Sequence, residues 1–131
     1  MSRKIILVHG FGANPKIYWF PWLIEELESR GHTVIAPTLT KPFHPTAEEW
    51  IVEITAAIGE ITSDTVIVAH SLGNSAVLRI LQNAPAEQRA RALISVSPLV
   101  LERYDLLFPT FFEEAIDATK IRAHVDSITV L

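Results

Sequence analysis

The residues best placed to do chemistry are Ser71 and the small residues two positions to either side, in the stretch VIVAHSLGN from Val66 to Asn74. A β-branched run ends at Ala69-His70, and Ser71-Leu72-Gly73 opens a segment with helical spacing. A serine at such a turn is held in a strained backbone conformation that lifts its hydroxyl clear of the sheet. Its neighbours must be small, because strand and helix pass close by. The turn also aims free N–H groups and the positive end of the helix dipole at the place where a carbonyl oxygen becomes an oxyanion. That is equipment for a nucleophile forming an acyl intermediate. The competing reading is a serine that merely caps the helix. The strand before it and the helix after it favour the nucleophile.

A second loop agrees. His9-Gly10-Phe11-Gly12 follows the apolar run Ile5–Val8, and in parallel sheets of this kind that loop supplies another oxyanion donor, here the N–H of Phe11 beside that of Leu72. His9, Gly10, His70 and Gly73 are expected to support the site.

Serine is a poor nucleophile without a base. The order of nucleophile, acid and histidine used at elbows of this kind is formally met by Asp117 and His124. Geometry opposes them, since His124 precedes the last strand, and five residues at ~3.3 Å each put it ~15 Å from the strand's carboxyl end. His9 and His70 lie at the right end. His9 is expected to hold its loop by a hydrogen bond, and the His70 side chain to point away from Ser71 as packing or a substrate wall. His32 sits at the wrong end and His44 in an exposed loop. Glu102 and Asp105, after the fourth strand, read as solvated carboxylates at a helix start. Trp19, Phe20, Trp22, Phe43 and Trp50 are core by residue type, with Trp19 and Phe43 also candidates for an acyl-pocket wall.

The elements that position these residues alternate. Strands are expected at Ile5–Val8, Thr33–Ala36, Thr65–Ala69, Ala92–Val96 and Ser127–Leu131. Helices are expected from Phe20 to Arg30, ended by Gly31; from a Thr46/Glu49 capping box to about Glu60; and from Ser71 to Asn83. The stretch from Leu99 to Ile121 is mixed. Alternation of this sort implies right-handed crossovers and an α/β three-layer sandwich: a parallel, doubly wound sheet of about five strands. The loops after Val8, Ala36, Ala69 and Val96 then share the carboxyl end, where ligands bind.

Composition narrows the class. With 49% hydrophobic and 20% charged residues, the chain has the makings of a folded core. Its 131 residues suit one domain. A net charge of -4, without a basic cluster, disfavours a nucleic-acid partner. The absence of cysteine removes disulfides and thiolate metal sites, and neither a metal nor an organic cofactor is expected. Neither a signal-peptide core nor a membrane-length apolar run is present, so a cytoplasmic setting without a membrane partner is expected. Gly10-Phe11-Gly12 hints at a dinucleotide fold, but Pro15 occupies the third glycine position and no acid ends the second strand.

The blocks VHGFG, YWFPWLIEELESRGH, APTLTKPFHP leading into Thr46-Ala-Glu-Glu-Trp50, and VIVAHSLGNSAVLR resemble, in order and spacing, the α/β-hydrolases, and more narrowly the small serine-hydrolase family of bacterial YdeN and retinoblastoma-binding protein 9. Ala69 stands where the commoner elbow glycine would be. The resemblance implies a hydrolase of small esters, thioesters or amides acting through Ser71. It covers about the first two-thirds of the family's chain and implies an acid just after Leu131 and a histidine in a later loop. On that footing the 131-residue chain is a truncated α/β-hydrolase domain with little activity of its own. The alternative from another class is a non-catalytic binding module on the same scaffold. An edge exposed by a missing strand would favour self-association.

Overall fold

The computed structural model describes residues 1–99 and 106–131. Five parallel strands form one sheet in the order β2-β1-β3-β4-β5: β1 (Lys4–Val8), β2 (Thr33–Ile35), β3 (Thr65–His70), β4 (Ala90–Val96) and β5 (Val125–Val130). The register pairs Val8 with Ala69 and His70 with Val96, so the loops after β1, β3 and β4 leave the sheet side by side. The expected strands and order of alternation are present. β5 begins two residues before the expected Ser127, because Val125 is buried beside Ala90.

Alternation along the strands feeds both faces, as a sheet covered on two sides requires. Ile6, Val8, Ile67, Ala69 and Leu93 face α2 (Ala47–Ile58) and α3 (Gly73–Gln82), where Trp50, Ile54 and Leu81 close the larger core. Ile121 of α4 (Ala118–Ala123) joins that layer. Ile5, Leu7, Val66, Val68, Ile94 and Val96 face the other way, toward α1 (Phe20–Ser29). The core reading of the aromatics is corrected here. Phe20 and Trp50 are buried, but Trp22 is 62% and Phe43 65% exposed, because Trp22 lines an open groove beside α1 and Phe43 sits on a loop.

Local signals explain the helix limits. The Thr46 hydroxyl accepts the Glu49 N–H, capping α2. The reciprocal half of the expected capping box is replaced: the Glu49 carboxylate accepts from the Thr46 hydroxyl at 3.1 Å and pairs with Lys41 at 2.8 Å, while the Ala47 N–H goes to the Thr110 hydroxyl. The Lys41 ammonium, and after it the Thr46 hydroxyl, hold the Glu49 carboxyl below its ordinary pKa, and Glu49 in turn holds Lys41 above its own. In the mixed stretch, a 3-10 turn at Pro109–Phe111 buries Phe111 against Trp50. Glu102 and Asp105 lie outside the described residues. No helix among the described residues is long and apolar enough to cross a membrane.

Candidate active site

The site is assembled where β1 and β3 leave the sheet. Ser71 directly follows β3 with φ of +52°, a left-handed conformation that a non-glycine residue adopts at a cost. α3 starts two residues later, at Gly73, so the expected helix start at Ser71 shifts to leave Ser71 on the turn itself. The tightness is measurable at two glycines. A Cβ on Gly73 would stand 2.5 Å from the His9 carbonyl oxygen, and one on Gly10 2.9 Å from the Ser71 Cβ. Any side chain there would force the two loops apart.

What holds the strained turn was not legible beforehand. Asn74 is fully buried. Its side-chain amide lies 3.1 Å from the carbonyls of Ala69 and Ser71 and 3.2 Å from that of Val96, and its Oδ1 accepts the Ser95 hydroxyl at 2.5 Å. One residue thus ties together the ends of β3 and β4 and the turn between strand and helix. The Ser71 N–H adds a bond to the Val96 carbonyl, and the Ser71 carbonyl accepts from Asn74 and Leu99. An asparagine just past the elbow, three residues after Ser71, is the sequence signal for this clamp.

Among the described residues, the backbone N–H groups of Phe11 and Leu72 meet no protein acceptor. The loop carrying Phe11 is pinned on both sides. Gly12 donates to the Pro42 carbonyl at 2.8 Å and Ala13 to that of Gly10 at 3.3 Å.

His9 is buried, edge-on to Trp50. Its Nε2 accepts the Leu39 N–H at 2.9 Å, so its proton sits on Nδ1, which donates to the Gly10 carbonyl at 2.8 Å. Both nitrogens are engaged, leaving none for Ser71. Burial pushes its pKa below the ordinary histidine value, opposed in part by the Gly10 bond. His70 is half-buried among Tyr18, Trp19 and Phe20, with its Nδ1 buried and without a partner among the described residues. Burial lowers its pKa too. The remaining histidines stand apart. His32 Nδ1 accepts from the Arg3 N–H and His124 Nδ1 bonds the Gln88 carbonyl, both at the amino end of the sheet, and His44 is exposed. Asp117 caps α4 at that same end, accepting from the Thr119 and Lys120 N–H groups.

Comparison with known proteins places this geometry. The family model described as serine hydrolase matches residues 5–129. The protein YdeN of Bacillus subtilis strain 168 is 30% identical over 97 residues, covering 74% of this chain and 51% of its own length. The chain therefore spans about half of that curated relative. The crystal structure of the B. subtilis ydeN gene product superposes with a TM-score of 0.88 at 27% identity, over 98% of this chain and 69% of that one. A Paleococcus ferrophilus monoacylglycerol lipase superposes with a TM-score of 0.59 at 27% identity, over 75% of this chain and 39% of the lipase. With a family match along nearly its whole length and an α/β-hydrolase sheet, the chain belongs to the serine hydrolase family.

Proposed function

We propose that the whole protein hydrolyses small esters, thioesters or amides through an acyl-enzyme on Ser71. The observation that carries this is the Ser71 backbone, held at φ +52° on the tip of a clamped strand-to-helix turn. In this reading the Ser71 hydroxyl oxygen bonds to the substrate carbonyl carbon. The negative charge moves to the carbonyl oxygen, held by the N–H groups of Phe11 and Leu72. Collapse of the intermediate breaks the bond to the leaving group, which departs with a proton, and water then cleaves the acyl ester to free Ser71. His9, Gly10, His70 and Gly73 support the site by holding or walling the two loops. The base that takes the Ser71 proton, and the acid behind it, lie outside residues 1–131 in this proposal. The substrate is a small acyl compound, and a cytoplasmic setting without a nucleic-acid partner rests on composition alone.

A second reading, a binding module that retains the scaffold, is favoured by one observation: both ring nitrogens of His9 are spent on backbone groups. Labelling with a short-chain fluorophosphonate separates the two. The hydrolase reading expects a carboxy-extended form to be labelled, Ser71→Ala to be unlabelled, and the 131-residue chain to react at least ~10³-fold more slowly than the extended form. A folded extended form that resists labelling would sink it and leave the binding module.

A further inference from the structure

Two cavities meet at the ring of Phe11. One, of about 380 Å³, reaches Ser71 and is walled by Gly10, Phe11, Tyr18, Trp19 and His70. The other, of about 460 Å³, is walled by Phe11, Phe43, His44, Pro45, Leu107 and Phe108. Each falls in the ~300–1,000 Å³ range of ligand pockets. The Phe11 ring centroid stands 5.8 Å from that of Phe43, with ring planes at 83°, and 5.3 Å from that of Phe108 at 57°. A single side chain is therefore the partition between the cavities, and its own backbone N–H faces the proposed oxyanion.

The cavities differ in chemistry. Among the described residues, the Phe43 side is walled by no carboxylate, ammonium or guanidinium, and its polar ring, His44, has Nδ1 engaged with the Phe43 carbonyl at 2.8 Å. Phe43 and Leu107 are 65% and 70% exposed, apolar area that a ligand would remove from water. The steep angles between the rings offer no parallel pair of faces to sandwich a flat aromatic ligand, whereas an aliphatic chain packs against ring edges and faces alike. The Ser71 side carries the serine and Tyr18 hydroxyls, suited to a more polar group.

We propose that the cavity walled by Phe43 and Phe108 is the subsite for an unbranched, medium-length acyl chain. The chain crosses the Phe11 ring, and the polar leaving group lies on the Tyr18 and His70 side of Ser71. The orientation rests on the hydrolase reading above; the subsite itself does not require Ser71 to react. Phe11 then has two roles, its amide toward the oxyanion and its ring against the chain, so occupancy of the cavity bears on the position of the donor.

Equilibrium dialysis of octanoate and acetate against the folded chain tests this without catalysis. Octanoate is expected to bind more tightly than acetate by roughly tenfold or more, since each buried methylene adds affinity. Phe43→Ala and Phe108→Ala should each weaken octanoate by roughly tenfold, the loss typical of a truncated aromatic anchor, with Phe43→Leu retaining most of it. Phe43 is on the surface, so its substitution leaves the fold intact even where Phe108→Ala does not. Trp22→Ala, in the separate apolar groove beside α1, should change nothing. Octanoate binding that survives Phe43→Ala, or that disappears in Trp22→Ala, overturns the subsite. The two readings fail separately. Without a reactive Ser71, octanoate binding and its loss in Phe43→Ala persist while fluorophosphonate labelling fails. Without the subsite, labelling persists with no chain-length preference.

Discussion

The two faces of the sheet are built from the same strands and have unequal cover. On one, Ile6, Val8, Ile67 and Leu93 are sealed by two long helices, with Trp50 and Ile54 fully buried between. On the other, Leu7 and Val68 are buried beneath α1, whose only buried residue is Phe20. Beside α1 runs an apolar groove of about 420 Å³ whose walls include Trp22, Leu27, Val66, Ile94, Val96 and Leu131. Strand composition is equally apolar on both sides, so the difference comes from which helices pack there. The oxyanion-side loop and the elbow both rest on the sealed face: His9 packs edge-on against Trp50, and a Cβ on Gly73 would strike the His9 carbonyl. The candidate site thus depends on the better-packed half.

Four substitutions sharpen that contrast. Trp50→Ala, on the sealed face, should cost about 3–5 kcal/mol, while Leu27→Ala at the half-covered groove should cost about 1 kcal/mol. Urea unfolding of both variants measures the difference, and equal losses would mean that the faces are equally packed. A smaller effect is expected from acid. Burial lowers the pKa of His9 from 6.5, so its neutral form favours the folded state. That contribution is complete above the unfolded pKa and is lost as pH falls from there through the lowered folded value. His9→Gln should therefore flatten the decline of stability below about pH 6.5, read from melting temperature against pH. An unchanged acid slope would show that His9 titrates alike in both states. The smallest effect is expected at Trp22→Ser, whose stability should stay within about 0.5 kcal/mol of the parent, while binding of an apolar dye to the groove falls. A large loss of stability would mean that Trp22 is buried in solution.

Much of this was legible from residue order. The β-branched runs and the helical stripe of Trp50, Ile54 and Ile58 identify their elements because periods of 2 and 3.6 are local properties. Ser71 and Gly73 mark a turn because only small residues fit where strand and helix cross. The burial of Trp22 and Phe43 was misjudged because residue type reports the gain from burial, and says nothing about whether another element arrives to provide it. The Glu49 carboxylate was misassigned for a similar reason: a cation from a neighbouring loop, Lys41, competed with the local backbone.

The sequence by itself determined the alternating elements, the parallel sheet they imply and the two loops bearing Ser71 and Phe11, because hydrophobic period, turn residues and crossover handedness act over short stretches. The tertiary structure alone decided three things: that Asn74 clamps the elbow to two strand ends, that His9 spends both nitrogens on backbone partners, and that Phe11 stands between Phe43 and Phe108. Each joins atoms from segments distant along the chain. Such contacts depend on how the layers dock, which no local pattern encodes.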